Sequence, residues 1–128
     1  MKRISLSHSK DSFTVEAEAL LIGADVAVSL WGGSLPHIGA VAMAIPRPSL
    51  RDSAVISATS SVLTSPGHKE DEIVKWFSER VSAAVNGTVV VSAGMHWDDM
   101  SFADIGTVRL ICEEIAEELI DALKKETA

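Results

Sequence analysis

KEDEIVKWFSERVSAAVNGTVVVS, residues Lys69 to Ser92, decides the fold, because the spacing of its apolar side chains changes within it. Ile73, Phe77, Val81 and Ala84 recur at the three-to-four-residue spacing of one helical face. Asn86-Gly87 then supplies a stop, since both residues tolerate the left-handed backbone that ends helices. Beyond it, Thr88 to Ser92 is a valine-rich run with the pattern of a buried strand.

Toward the amino terminus the period is two. Phe13, Val15, Ala17, Ala19 and Leu21 alternate with Thr14, Glu16 and Glu18, as in a strand with one face in water. Ile4-Ser5-Leu6 predicts a short strand before it, closed into a hairpin by the polar run Ser7 to Ser12, which includes His8. Gly23-Ala24-Asp25 ends the alternating strand, and Val26 to Trp31 forms the next, stopping at Gly32-Gly33. His37 to Ile45 is nearly all small or apolar, which predicts a central strand covered on both faces and ended by Pro46 and Pro48. Arg51 to Leu63 reads as a long strand whose Ser57, Thr59 and Ser61 face water or a partner.

Toward the carboxyl terminus, Ser101 and Asp104 make a capping-box pattern, followed by the stripe Ile105, Val108, Cys112, Ile115, Leu119 and Leu123, expected to be buried. Strands, helix, strand, helix is the order of an α+β fold: a single mixed, mainly antiparallel sheet with two helices packed on one face.

With 128 residues the chain has the size of one core rather than two, so residues 1–128 are expected to form a single domain. Eighteen acids against eleven bases leave a net charge of −7. No run of Lys and Arg is long enough to follow a phosphate backbone, which argues against nucleic acid as a partner. The longest apolar stretch, near Gly39 to Ile45, falls far short of the roughly 20 residues of a membrane-spanning helix. The first ten residues turn polar before a signal peptide's apolar region can form, which predicts a cytoplasmic protein. Cys112 is the only cysteine, and inside a helical pattern it reads as a small buried hydrophobe.

Three of the four histidines stand in glycine-bearing turns beside strand or helix ends: Gly32 to Gly39 with His37, Pro66 to Asp71 with His68, and Gly94 to Asp99 with His96. Glycine lets a ligand approach the backbone, and histidine offers a donor, an acceptor or a metal nitrogen near neutral pH. Gly67-His68-Lys69 precedes the first helix, where free N–H groups, the helix dipole and the lysine charge favour an anion such as phosphate. A capped helix start, with Glu70 and Asp71 complementing the dipole, accounts for the same residues. His37, His68 and His96 with Asp98 or Asp99 would suit iron, zinc or manganese if the turns converge. Trp31 and Trp97 flank the turns, placed either to stack on a flat ring or to cap the core. Turns at matching ends of neighbouring strands lie side by side, so the three histidines are expected around one pocket.

In these turns the chain resembles the small prenylated-flavin chaperones, which are known also as the small accessory subunits of gallate and related hydroxyarylic acid decarboxylases. The matching stretches are Gly32-Gly33 through Pro36-His37-Ile38-Gly39-Ala40-Val41, Pro66 to Asp71, and Gly94-Met95-His96-Trp97-Asp98-Asp99, in the family's order. The resemblance implies a fold similar to proteasome-assembly chaperones, a homodimer, and binding of prenylated FMN for supply to, or maturation for, a UbiD-type decarboxylase. It implies cofactor-binding roles for Gly32, Gly33, His37, Gly39, Gly67, His68, Lys69, His96 and Trp97. Lys69 and the Gly67-His68 amides would hold the phosphate, and His37 and His96 would lie near the isoalloxazine edge. A cofactor-binding chaperone is expected rather than a catalyst, with no catalytic residue assigned. The alternatives are a small metal-dependent enzyme acting on the reduced flavin, with His37, His68, His96 and Asp98 on the metal, and an assembly chaperone without a ligand.

Overall fold

The computed structural model describes residues 2–65 and 70–127, and contains strands β1 (Arg3–Lys10), β2 (Phe13–Ile22), β3 (Asp25–Gly33), β4 (Ala40–Pro48), β5 (Ile56–Thr64) and β6 (Val89–His96). Helix α1 (Asp71–Val85) precedes β6 and helix α2 (Phe102–Thr127) follows it. The strands form one sheet in the order β1-β2-β3-β6-β4-β5. All neighbours are antiparallel except β3 and β6, which run parallel. The sheet is therefore mixed and mainly antiparallel. Because β6 inserts between β3 and β4, the loop joining those two strands, residues 34–39, has to cross the end of β6.

Alternation places the core on one face. Phe13, Val15, Ala17 and Ala19 of β2, Val28 and Leu30 of β3, and Val89 and Val91 of β6 are buried together. Helix α1 covers β4, β5 and β6, and α2 covers β1 and β2, so both helices lie on the same face and touch each other. Val74, Phe77 and Val81 come down from α1, and Ile111, Ile115 and Leu119 from α2. Asn86, left-handed at φ 54°, ends α1 and returns its N–H to the Ser82 carbonyl. At the start of α2 the Ser101 N–H donates to Asp104 Oδ2 at 3.0 Å and the Asp104 N–H to Ser101 Oγ at 3.1 Å, the reciprocal pair that the sequence pattern predicts. No helix among the described residues is long and apolar enough to cross a membrane.

The structure corrects five local expectations, the first at Ile105, which opens the expected buried stripe of α2 but is half exposed because it stands in the helix's first turns at the cavity rather than over the sheet. Strand β4 is second from the edge rather than central, begins at Ala40 rather than His37, and is covered on one face only: Ala40, Ala42 and Ala44 lie beneath α1 while Met43 and Ile45 are exposed. Its small residues reflect close helix approach, not a second covering layer. Pro46 and Pro48 do not end the strand but pair with Ala58 and Ile56. Pairing with β6 stops at Ala44, so the prolines occupy a local edge, where a missing N–H is tolerated. Strand β5 starts at Ile56 rather than Arg51, because Asp52 builds a turn in which its side chain accepts the Ala54 N–H at 3.0 Å and its carbonyl the Val55 N–H at 3.0 Å. His8 is not in a turn: β1 runs through it, and its ring meets Glu114 and Glu118 of α2.

Candidate functional site

Strands β3 and β6 run parallel and β4 runs against both, so the end of β3, the end of β6 and the start of β4 share one edge of the sheet. The end of β5 joins them, since Thr64 pairs with Ala40. Two glycines let the crossing loop settle on β6. Gly33 has φ +83°, and a Cβ there would sit 1.9 Å from the His96 carbonyl oxygen, which instead accepts the Ser34 N–H at 2.9 Å. A Cβ on Gly94 would lie 1.7 Å from the His37 carbonyl oxygen. The backbone of His37 thus rests directly on β6, close to the strand's end at His96.

Between this loop, the first turn of α1, the end of β6 and the first turns of α2 lies a cavity of about 850 Å³. Its wall is mainly apolar, from Ile73, Met95, Trp97, Met100, Ile105 and Val108, with His37, Glu70 and His96 as the convergent polar side chains. Glu70 occupies the N-cap position of α1 but makes no side-chain cap. Its carboxylate is buried and turned inward, where Oε1 accepts the Met95 N–H at 3.3 Å and lies 3.3 Å from His37 Nε2. His37 Nδ1 donates to the Leu35 carbonyl at 2.8 Å, and a carbonyl only accepts, so Nδ1 carries a proton. The approach of Nε2 to the carboxylate is then attractive when a second proton lies between them. The pair and His96 are the polar side chains of a mainly apolar wall. His96 Nε2 lies 3.1 Å from Asp98 Oδ1, at the exposed side.

His37, His96 and Trp97 line the cavity together. Gly39 does not line the cavity but lies close beside the Glu70 carboxylate and the His37 ring, and Gly32 is buried beneath the Trp97 ring, which packs edge-on against Phe13 at 5.3 Å. Trp31 stands apart on the uncovered face of the sheet, its register neighbour in β6 being Gly94. Gly67, His68 and Lys69 lie outside the described residues, and with His68 so does one third of the expected histidine cluster. Among the described residues no three His, Cys, Asp or Glu side chains group as a metal ion requires: His37 meets Glu70 and His96 meets Asp98. Cys112 is buried in the core and does not line the cavity; burial, with the nearby Glu113 charge, pushes its thiol up to about 12.

Sequence reasoning passed over Glu70, taking it as a complement to the helix dipole. The available signal was its position: glutamate is a poor N-cap, and no Ser, Thr, Asn or Asp stands there instead. It also passed over the apolar wall, because Met95, Met100 and Ile105 come from three unrelated patterns and meet only in the folded chain.

The family model for the prenylated flavin chaperone LpdD-like domain matches residues 9–124. The chain belongs to that family. Among solved structures this family member is similar over its full length, and over the full length of the other chain, to one from the crystal structure of a novel chaperone complex for yeast 20S proteasome assembly, with a TM-score of 0.53 and 19% identity. That likeness shows a shared fold. No curated protein matches. The matched span includes all three glycine-bearing turns and both histidines of the cavity wall.

Proposed function

We propose that this protein binds prenylated FMN and supplies or matures it for a UbiD-type decarboxylase. One observation carries the reading: in a prenylated flavin chaperone family member, the 34–39 loop, the end of β6 and the starts of α1 and α2 line a mainly apolar cavity of about 850 Å³. That is within the roughly 300–1,000 Å³ of small-molecule and cofactor sites. The wall fits the group. Ile73, Met95, Met100, Ile105 and Val108 provide apolar room for the extra ring, and His37, paired with Glu70, and His96 present polar atoms to the isoalloxazine edge. Lys69, which Glu70 separates from α1 in the sequence, would supply the charge for the phosphate. When bound, the flavin brings the electron-accepting ring chemistry; the chain's own residues hold it, orient it and limit access of water. Titration with prenylated FMN, followed by absorbance, is expected to saturate near one equivalent per chain. A spectrum unchanged at all ratios would sink the reading.

The same reading includes a homodimer in the cytoplasm. The uncovered face of the sheet carries Val41, Met43 and Ile45 on β4, Leu63 on β5 and Val90 on β6, set beside Thr59 and Ser61 of β5. A second copy is the simplest cover for it. Sedimentation at micromolar concentration is expected to give twice the 13.6 kDa chain mass; a clean monomer would count against the dimer.

A further inference from the structure

Four large apolar side chains stand exposed about the cavity mouth and the start of α2. Leu35 and Ile38 belong to the crossing loop, 63% and 69% exposed, and Phe102 and Ile105 to the first turns of α2, 92% and 50% exposed. Acids are interleaved with them: Asp71 and Glu72 at the start of α1, Asp98 and Asp99 after β6, and Asp104 in the capping box. Segments 34–39, 70–73 and 95–105 contain no lysine or arginine; Lys69, next to the second, lies outside the described residues. Exposed apolar side chains and acids thus share the segments at this end of the molecule. Phe102 contributes nothing to the core that would explain its type, and large exposed apolar side chains grouped within a polar border mark interaction sites.

Charge selects the occupant. A second copy of the same face would set acid against acid, and an anionic lipid surface would be repelled likewise. A protein face with an apolar centre bordered by Lys and Arg complements it. We infer that this end of the molecule docks such a face on the enzyme that receives the flavin, an inference that rests on the carrier reading above. The cavity then opens directly against the partner, and its contents change hands without crossing water.

The experiment immobilises the full chain and measures binding of a purified apo UbiD-type decarboxylase by surface plasmon resonance at two salt concentrations. Phe102→Ser is expected to weaken the complex at least tenfold. The triple variant Asp71→Asn, Glu72→Gln, Asp99→Asn is expected to slow association about tenfold at low salt and to flatten the salt dependence. Met43→Asp, on the sheet face, is expected to leave affinity within about threefold. Melting temperature and uptake of prenylated FMN are measured for every variant. Failure of the wild type to take up prenylated FMN strikes the carrier reading alone. No complex with the wild type, rim variants that bind like it, or loss of binding only with Met43→Asp would overturn the docking inference. So would a Phe102→Ser variant that splits the homodimer while still binding the enzyme.

Discussion

Replacing Gly94 with alanine tests the feature that makes the site, the crossing of the 34–39 loop over β6. The new Cβ would lie 1.7 Å from the His37 carbonyl oxygen, 2.2 Å from its carbon and 2.9 Å from the Ile38 nitrogen. An ordinary carbon–oxygen contact is about 3.3 Å, so loop and strand must separate by roughly 1.5 Å. The loop is pinned on either side of this point by the Ser34 N–H on His96 O at 2.9 Å and the Gly39 N–H on Ala93 O at 2.8 Å. Overpacking costs about 1–3 kcal/mol and a stretched hydrogen bond about 1 kcal/mol, offset by about 0.5 kcal/mol from the less flexible unfolded chain. A net loss of roughly 1.5–3.5 kcal/mol follows, which for a domain of this size lowers Tm by about 5–17 °C. His37 moves with the loop and away from Glu70, so the affinity for prenylated FMN is expected to fall more than tenfold.

Gly106 supplies the control. It lies within α2 with nothing inside 4 Å of a built Cβ, so Gly106→Ala is expected to raise stability by roughly 0.5–1 kcal/mol through helix propensity. Scanning calorimetry and absorbance titration of the two variants side by side decide the matter. If Gly94→Ala melts within about 2 °C of the wild type and binds flavin equally well, the loop does not rest on β6 as described.

Lys69→Ala is expected to weaken binding of a phosphate-bearing flavin by about 1–3 kcal/mol with the fold unchanged; equal affinities by calorimetry at matched salt would refute the phosphate role. Met43→Asp should convert the proposed dimer to a monomer in sedimentation, and a dimer mass kept by the variant would place the interface elsewhere. Glu79 bridges Lys75 and Ser60; partial burial pushes its carboxyl up, but those hydrogen bonds and the Lys75 and Arg47 charges leave it below its ordinary value. Its stabilising effect is therefore present above the ordinary value and lost as pH falls through the lowered one, so between about pH 5 and 3 the wild type should lose more Tm than Glu79→Gln. Cys112, with its thiol near 12, should resist iodoacetamide at pH 8 until the chain unfolds, and rapid native labelling would contradict its burial.

Most of the elements are legible in the sequence because their signals are local. The alternation from Phe13 to Leu21, the Asn86-Gly87 stop and the Ser101–Asp104 box each depend on residues within a few positions of one another, and each recurs in the fold. Most of the misreadings involve β4, β5 or His8, whose surroundings come from distant parts of the chain. An all-small strand is compatible both with two covering layers and with one closely packed helix; only the position of α1 decides between them. Proline signals an end unless the neighbouring strand has already ended, and where β6 stops is not written in β4.

The site follows the same division. His37 and His96 could be singled out because glycine-bearing turns are visible one at a time, but nothing local says that two such turns touch. That follows from the insertion of β6 between β3 and β4, which sets the ends of β3 and β6 on one edge and makes the connecting loop pass over Gly94. Glu70 shows the consequence most plainly. In the sequence it is one of three consecutive acids opening a helix, where dipole compensation accounts for all of them equally. In the fold Asp71 and Glu72 do remain at the surface, while Glu70 alone meets the end of β6 through the Met95 N–H and the crossing loop through His37. A single carboxylate therefore joins the three segments, and it does so only because the sheet order has already brought two of them together.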